Sequence, residues 1–331
     1  MIKQTILLAP LLFIVLVPPA KAQIDFAEHD GTFSIIGRDP TTGELGIGVH
    51  SKTVAVGSRT RGGKGGVAIF AYQAASNPMY SMIGIELLEA GMSPQQALDM
   101  MLRSDNDRNR RQVAILDVLG RTAVWTSPDI NDWKGHKCST NYCAQGNTLT
   151  GPEVVAAMSD SFESTSGPLA ERLLDALDAA QAAGGDKRGM QSASLMVLKP
   201  LSGAGGYSDR LLDLRVDEHK QPLRELRRVL AAFRARESLR SVRPKINEGK
   251  LQEALALAIR TRDLFPEGDS AWIAIANVQL RLGNRTEALR ALEHAISLNP
   301  ANKAQLLSNE NFVSLYDDPA FQNMVSNNES E

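Results

Sequence analysis

Phe33-Ser-Ile-Ile-Gly37, then Asp39-Pro-Thr-Thr-Gly-Glu44, then Leu45-Gly-Ile-Gly-Val49 follow one another in a chain of 331 residues. The outer segments are short, β-branched and apolar, and a Pro/Gly-containing turn separates them. The reading is an antiparallel hairpin. Working outward, Gly66-Val-Ala-Ile-Phe70, Val113-Ala-Ile-Leu-Asp-Val118 and Arg121-Thr-Ala-Val-Trp125 read as further strands, the last two joined through Leu119-Gly-Arg121. Between these pairs, Met82 to Arg103 is expected to be one helix, with Leu87, Leu88, Ala97, Leu98 and Met101 on its apolar stripe. Helices are expected from Pro152 to Phe162 and from Leu169 to Ala183, the latter ended by Gly184-Gly185, and a strand from Ser192 to Leu198. Hairpin, helix, hairpin, helices, strand is an α+β order with antiparallel sheet, unlike a βαβ repeat.

Residues 220–245 change character. Leu223, Leu226, Leu230 and Phe233 fall at helical spacing, and nine Lys or Arg face two Glu. This reads as a basic connecting helix, either simply solvated or attracted to an anionic envelope surface. Beyond it, Gly249, Glu253, Ala254 and Pro266 recur 34 residues later as Gly283, Glu287, Ala288 and Pro300. That period, with Trp272 opening a unit and Ala288 and Ala295 at a helix crossing, resembles the tetratricopeptide repeat. Two units are expected at about 236–268 and 269–302, capped by a helix over Asn311–Val325 with Phe312, Leu315 and Phe321 inward.

Apolar residues make up 43% and charged residues 22%, so the chain is neither disordered nor a polytopic membrane protein. Lys and Arg total 36 against 38 Asp and Glu, a balance that proposes no nucleic-acid partner. Lys3, the apolar run Ile6–Val17, Pro18-Pro19 and Ala20-Lys21-Ala22 follow the order of a secretory signal peptide, with a buried N-terminal helix as the alternative. Cleavage after Ala22 would leave 331 − 22 = 309 residues, exported to a periplasmic or secreted location with no transmembrane segment. In an oxidising compartment Cys138 and Cys143 are expected to close a small disulfide loop, free thiols being the alternative. Single, scattered histidines and the lack of a phosphate loop imply neither metal nor organic cofactor.

The first domain carries no G-x-S-x-G, H-E-x-x-H, P-loop or dinucleotide signature. What remains is Gly31-Thr32 at the opening of the first strand. A Thr hydroxyl is a poor nucleophile without a base. A Thr at a chain's own N-terminus has one, its α-amine.

Several blocks in order resemble the bacterial and archaeal domain-of-unknown-function 1028 family. They are Thr32–Gly46, Ser51-Lys52 with Ala55-Val56-Gly57, Asn77-Pro-Met-Tyr80 with Gly84 and Leu87–Gly91, Arg111-Gln112-Val113, and Gly135-His136. Gln145-Gly-Asn147, Gly151-Pro152, Gly184–Ala193 and Asp213–Asp217 continue the match. The resemblance spans about residues 31–230. It implies a four-layer αββα sandwich of the N-terminal nucleophile hydrolase type over residues 32–219. An all-α repeat domain over 246–331 follows. Many relatives start with Met directly before the Thr, whereas signal cleavage here would leave a leader, residues 23–31, so a second cut between Gly31 and Thr32 would be required.

The resemblance implies amide or peptide bond hydrolysis by Thr32. Lys52 would depress the amine's pKa, or is an exposed strand-end lysine. Asn77 and Asn147 would donate to an oxyanion, or cap turns. Arg38 and Asp39 would orient the Thr strand, or are turn residues. Asp186 and Arg188 would grip a polar substrate, or form a capping salt bridge. The rival reading is a non-catalytic binding or scaffold protein acting through its repeats on a protein or peptide partner.

Overall fold

The computed structural model describes residues 31–130 and 132–326. The expected signal segment and leader residues 23–30 lie outside the described residues. Strands β1 (Thr32–Arg38) and β2 (Leu45–Ser51) form the expected hairpin, in continuous register from Arg38 opposite Leu45 to Thr32 opposite Ser51. They sit inside a six-stranded antiparallel sheet with β7 (Trp133–Ser139), β8 (Tyr142–Leu149), β9 (Ser192–Leu198) and β10 (Arg210–Val216), ordered β10-β9-β2-β1-β8-β7. A second antiparallel sheet orders β3-β4-β5-β6, from β3 (Arg61–Lys64), β4 (Ala68–Ala74), β5 (Arg111–Asp117) and β6 (Thr122–Thr126). The class is α+β.

Strand alternation builds the layers. On β1 and β2, Ile36, Leu45 and Ile47 point at Ile69 and Ala71 of β4 and at Ala114 and Leu116 of β5, so the sheets share one apolar interface. Phe33 and Ile35 point the other way. They meet α3 (Glu153–Ser164), α4 (Leu169–Ala182) and the first half of α5 (Pro222–Arg240). The outer face of the smaller sheet is covered by α1 (Met79–Glu89) and α2 (Pro94–Ser104), through Tyr80, Ala97, Leu98 and Met101. The glycines of Leu45-Gly-Ile-Gly-Val49 now have a reason. A Cβ on Gly46 would lie 2.6 Å from Leu173 and one on Gly48 2.9 Å from Leu177, so α4 rests directly on this stripe.

Three expectations need correction. The helix over Met82–Arg103 is two helices. Gly91, at φ +93°, turns the chain, and Ser93 with Gln96 forms a capping box that starts α2 with Pro94 in its first turn. Strands β3, β7, β8 and β10 were not foreseen: β3 and β7 are mostly polar or Gly, Gln145-Gly-Asn147 in β8 reads as a turn, and Arg210, Asp213 and Arg215 interrupt the leucines of β10. The tail is a 3-10 turn over Glu310–Leu315 followed by a short helix, not one capping helix, although Phe312, Leu315 and Phe321 are buried. Cys138 and Cys143 stand opposite each other in the β7–β8 hairpin, disulfide-bonded with Cα atoms 4.0 Å apart.

The basic helix α5 is less solvated than expected. Leu223, Leu226 and Leu230 join the core of the larger sheet, while Arg227 pairs with Asp175 and Asp178 and Arg234 with Glu171, all on α4. After it come α6 (Val242–Asn247), α7 (Leu251–Leu264), α8 (Asp269–Arg281), α9 (Arg285–Leu298), α10 (Asn302–Leu307) and α11 (Pro319–Ser326). Ala254, Ala258, Ala288 and Ala295 are fully buried where these helices pack. The sequence repeat is also a backbone repeat. Gly249 bonds to Ile246, Lys250 to Lys245 and Ala254 to Lys250; Gly283 bonds to Leu280, Asn284 to Gln279 and Ala288 to Asn284, each pair 34 residues on. Both glycines are left-handed, at φ +73° and +81°, with open space around them. Gly283→Ala is therefore expected to cost about 1 kcal/mol from backbone strain alone. Gly283→Asn should recover most of it, measured as urea unfolding midpoints.

Among the described residues, no helix is long and apolar enough to cross a membrane.

Candidate functional site

The interface between the sheets changes chemistry along its length. Its apolar end holds Ile36, Leu45, Leu116 and Leu198. The same inward faces then run on as Thr32, Ser34, Ser51, Gln73, Gln112, Gln145 and Asn147, each at most 1% exposed. Burying this many polar side chains is tolerable only if they satisfy one another. Gln73 Nε2 donates to the carbonyl of Thr32 (2.9 Å) and to Gln112 Oε1 (2.8 Å), and its own Oε1 accepts from Ser34 Oγ (2.6 Å). Asn147, directly opposite Thr32 in β8, donates from Nδ2 to Gln112 Oε1 (2.9 Å). Gln112 Nε2 donates in turn to the carbonyl of Gly146 (2.9 Å). The first residue of β1 is thus fixed by both neighbouring strands and by the facing sheet.

The peptide bond entering Thr32 is held with equal care. Thr32 Oγ1 donates to Ser51 Oγ (3.1 Å), and Ser51 Oγ donates to the carbonyl of Gly31 (2.5 Å). Arg188 Nη2 donates to the same carbonyl (2.9 Å). That guanidinium is aimed by Asp186, whose carboxylate accepts Arg188 Nη2 (2.8 Å), Nε (3.1 Å) and backbone N (2.9 Å), and also the backbone N of Lys52 (3.2 Å). The Asp186 carboxylate is wholly buried. One carbonyl therefore receives a hydroxyl and a cation, and the hydroxyl connects it to the adjacent Thr side chain.

A backbone irregularity lies at the same place. Trp133 pairs with Leu149 and Lys134 with Asn147, so Thr148 is the extra residue of a β-bulge, and its φ is +55°. A β-branched residue in the left-handed region is strained, and such strain collects at functional sites.

The family model that matches this chain, described as a family of unknown function (DUF1028), covers residues 32–226. The chain belongs to that family. The DUF1028 match opens at Thr32, the first residue of β1. The crystal structure of protein SPO2555 from Silicibacter pomeroyi, assigned to the same family, is similar at 31% identity and a TM-score of 0.56. The match covers 60% of this chain and 84% of that one. No curated protein matches.

Within the DUF1028 domain, the structure brings Thr32, Asn147, Asp186 and Arg188 together and leaves the other expected residues apart. Lys52 follows the last residue of β2, so its side chain turns outward and Nζ donates to the carbonyl of Met190 (3.2 Å) at the surface; the cation beside Gly31 is Arg188. Asn77 caps the start of α1 by accepting from the backbone N of Met79 (3.1 Å), and lines a separate cleft with Tyr80 and Asp105. Arg38 and Asp39 sit at the far end of β1, about 20 Å from Thr32 at strand rise. Arg38 donates to Asn141 (2.9 Å), and Asp39 accepts from the backbone of Thr41 (2.7 Å), which makes them turn residues. The Gly31 carbonyl accepts from Ser51 and Arg188, whereas Asn77 and Asn147 hydrogen-bond elsewhere. Gln73 and Gln112 were not foreseen.

His50 lies on the other face of β2, stacked on Phe33 (ring centroids 4.7 Å), with both ring nitrogens buried and unpartnered among the described residues. Burial lowers its pKa from 6.5 to about 4, against the opposing pull of the Asp186 carboxylate. The neutral ring is the one the fold accepts. Stability is therefore full above pH 6.5 and falls as pH drops from 6.5 towards 4, because only the unfolded chain takes up the proton there. A loss of about 2 kcal/mol is expected between pH 7.5 and pH 5. His50→Phe should flatten this dependence in urea titrations at the two pH values.

Proposed function

We propose that this protein is an exported amide or peptide bond hydrolase of the N-terminal nucleophile type, with Thr32 as nucleophile after cleavage of the Gly31–Thr32 bond. The observation that carries the reading is the double hydrogen bond from Ser51 and Arg188 to the Gly31 carbonyl, next to the Thr32 hydroxyl. Stacked antiparallel sheets covered by helices agree with the four-layer architecture of that superfamily.

The arrangement supplies a route for the cut. Thr32 Oγ1 adds to the Gly31 carbonyl carbon and passes its proton to Ser51, and Ser51 passes its own to the carbonyl oxygen. Until that proton arrives, the charge developing on the oxygen is met by Arg188. Collapse re-forms the carbonyl, moves the proton from its hydroxyl to the departing amide nitrogen, and leaves a Gly31 ester on Thr32 and a free α-amine. Water then hydrolyses the ester and releases the leader as a carboxylate. The exposed amine serves as base for turnover of an external amide.

We read the C-terminal helices as tetratricopeptide units that bind a protein or peptide partner. The duplicated turn at Gly249 and Gly283 supports this. Intact-mass analysis of protein produced in an exporting host is the test. A mature chain beginning at Thr32 is the expected result. A chain that keeps Gly31 after prolonged incubation would instead favour a non-catalytic scaffold acting through its repeats.

A further inference from the structure

The geometry points to a substrate class: amides and peptides whose acyl α-carbon carries no side chain, that is, glycyl or equivalent CH2 acyl groups. The inference rests on the hydrolase reading above and follows from a chemical identity. The ester formed on Thr32 during self-cleavage and the acyl-enzyme formed during turnover join the same oxygen to an acyl carbon. The place now filled by Gly31 is therefore the place the substrate's acyl carbon must enter.

That place admits no Cβ. One built on Gly31 would lie 2.7 Å from Thr148 Cβ, 2.8 Å from Asp186 Oδ2 and 3.0 Å from Arg188 Nη2. None of these neighbours moves easily. Thr148 Cβ is attached directly to the bulged backbone of β8, which also binds the amide of Lys187 through its carbonyl (3.1 Å). The Asp186 carboxylate is held by the backbone of Lys52, and the Arg188 guanidinium is held by both Asp186 and the Gly31 carbonyl. Moving either of the last two would disturb the groups that receive the oxyanion. The wall is thus part of the same construction as the catalytic groups, and the strained Thr148 is its least yielding element.

Activated esters test this without depending on the unknown leaving group. Full-length protein whose N-terminus at Thr32 has been verified by mass is mixed with the p-nitrophenyl esters of N-acetylglycine and N-acetyl-alanine. The p-nitrophenolate burst is followed with the acyl adduct on Thr32. The glycyl ester is expected to acylate about 100-fold faster, the scale set by one misplaced methyl group in a closed pocket. Thr148→Gly, which suits the backbone at φ +55° and removes the closest and least yielding part of the wall, should narrow the ratio by raising the alanyl rate. In the precursor, Gly31→Ala should slow self-cleavage, and Gly31→Ala combined with Thr148→Gly should restore it in part.

Equal acylation by both esters, or a ratio unmoved by Thr148→Gly, overturns the acyl selectivity while the hydrolase reading stands. If neither ester acylates Thr32, the hydrolase reading fails and the selectivity falls with it.

Discussion

Thr32→Ala is expected to give a chain that folds but never separates from its leader. The side chain sits at the first position of β1, 1% exposed, and its hydroxyl donates to Ser51. Losing that hydrogen bond costs about 1 kcal/mol. The main-chain pairing to Ser51 and Asn147 and the Gln73 bond to the Thr32 carbonyl do not need the hydroxyl. Thermal unfolding should therefore shift by only a few degrees. Cleavage should fall by about 10,000-fold or more, the scale of losing a nucleophile. Ser51→Ala should be intermediate. It removes one of two donors to the Gly31 carbonyl and the proton path from Thr32, but leaves Arg188, so cleavage is expected to slow by about 100-fold. Thr32→Ser should cut at a reduced rate. Intact mass over a time course reads all three variants. If Thr32→Ala is cut after Gly31 as fast as wild type, the nucleophile reading is wrong.

How much of this was legible from the residues depends on how far apart in the chain the partners lie. The β1–β2 hairpin was visible because its turn, Asp39–Glu44, separates two apolar runs. Its register extends from Arg38 opposite Leu45 to Thr32 opposite Ser51 without a bulge, so the turn alone would have placed Ser51 across from Thr32. Asn147 could not be placed in the same way, since it reaches Thr32 from a strand that follows two helices and a second sheet. Gln145-Gly-Asn147 looks like a turn in isolation. It is a strand, paired with β1 and β7, whose buried amides donate to Ser34 and Gln112, and hydrophobic periodicity cannot report a polar core. Lys52 and Arg188 illustrate the same limit. A lysine beside the hairpin looked closer to Thr32 than an arginine far along the chain, yet the strand's end turns Lys52 outward and the Asp186 loop brings Arg188 in.

Asp186 is expected to be the most sensitive position for stability in the site. Its carboxylate is fully buried and accepts four donors, three of them from Arg188, whose side chain is 29% exposed. Asp186→Ala leaves a guanidinium largely out of water without its counter-charge, together with an unsatisfied backbone N of Lys52. Breaking such a pair from one side costs about 3 kcal/mol, at the lower end of the usual scale because Arg188 keeps some solvent. Removing both partners should cost less than removing Asp186 alone, since no charge is then left stranded. In a double-mutant cycle, Asp186→Ala with Arg188→Ala should accordingly be more stable in urea than Asp186→Ala. Cleavage at Gly31 should separate from stability in the same set. Each single variant and the double variant lose the aimed guanidinium on the Gly31 carbonyl, so all three should cut slowly although their unfolding midpoints differ. If cleavage instead tracked the midpoints, being restored in the double variant, Asp186 and Arg188 would be structural supports alone and the oxyanion role assigned to Arg188 would be lost.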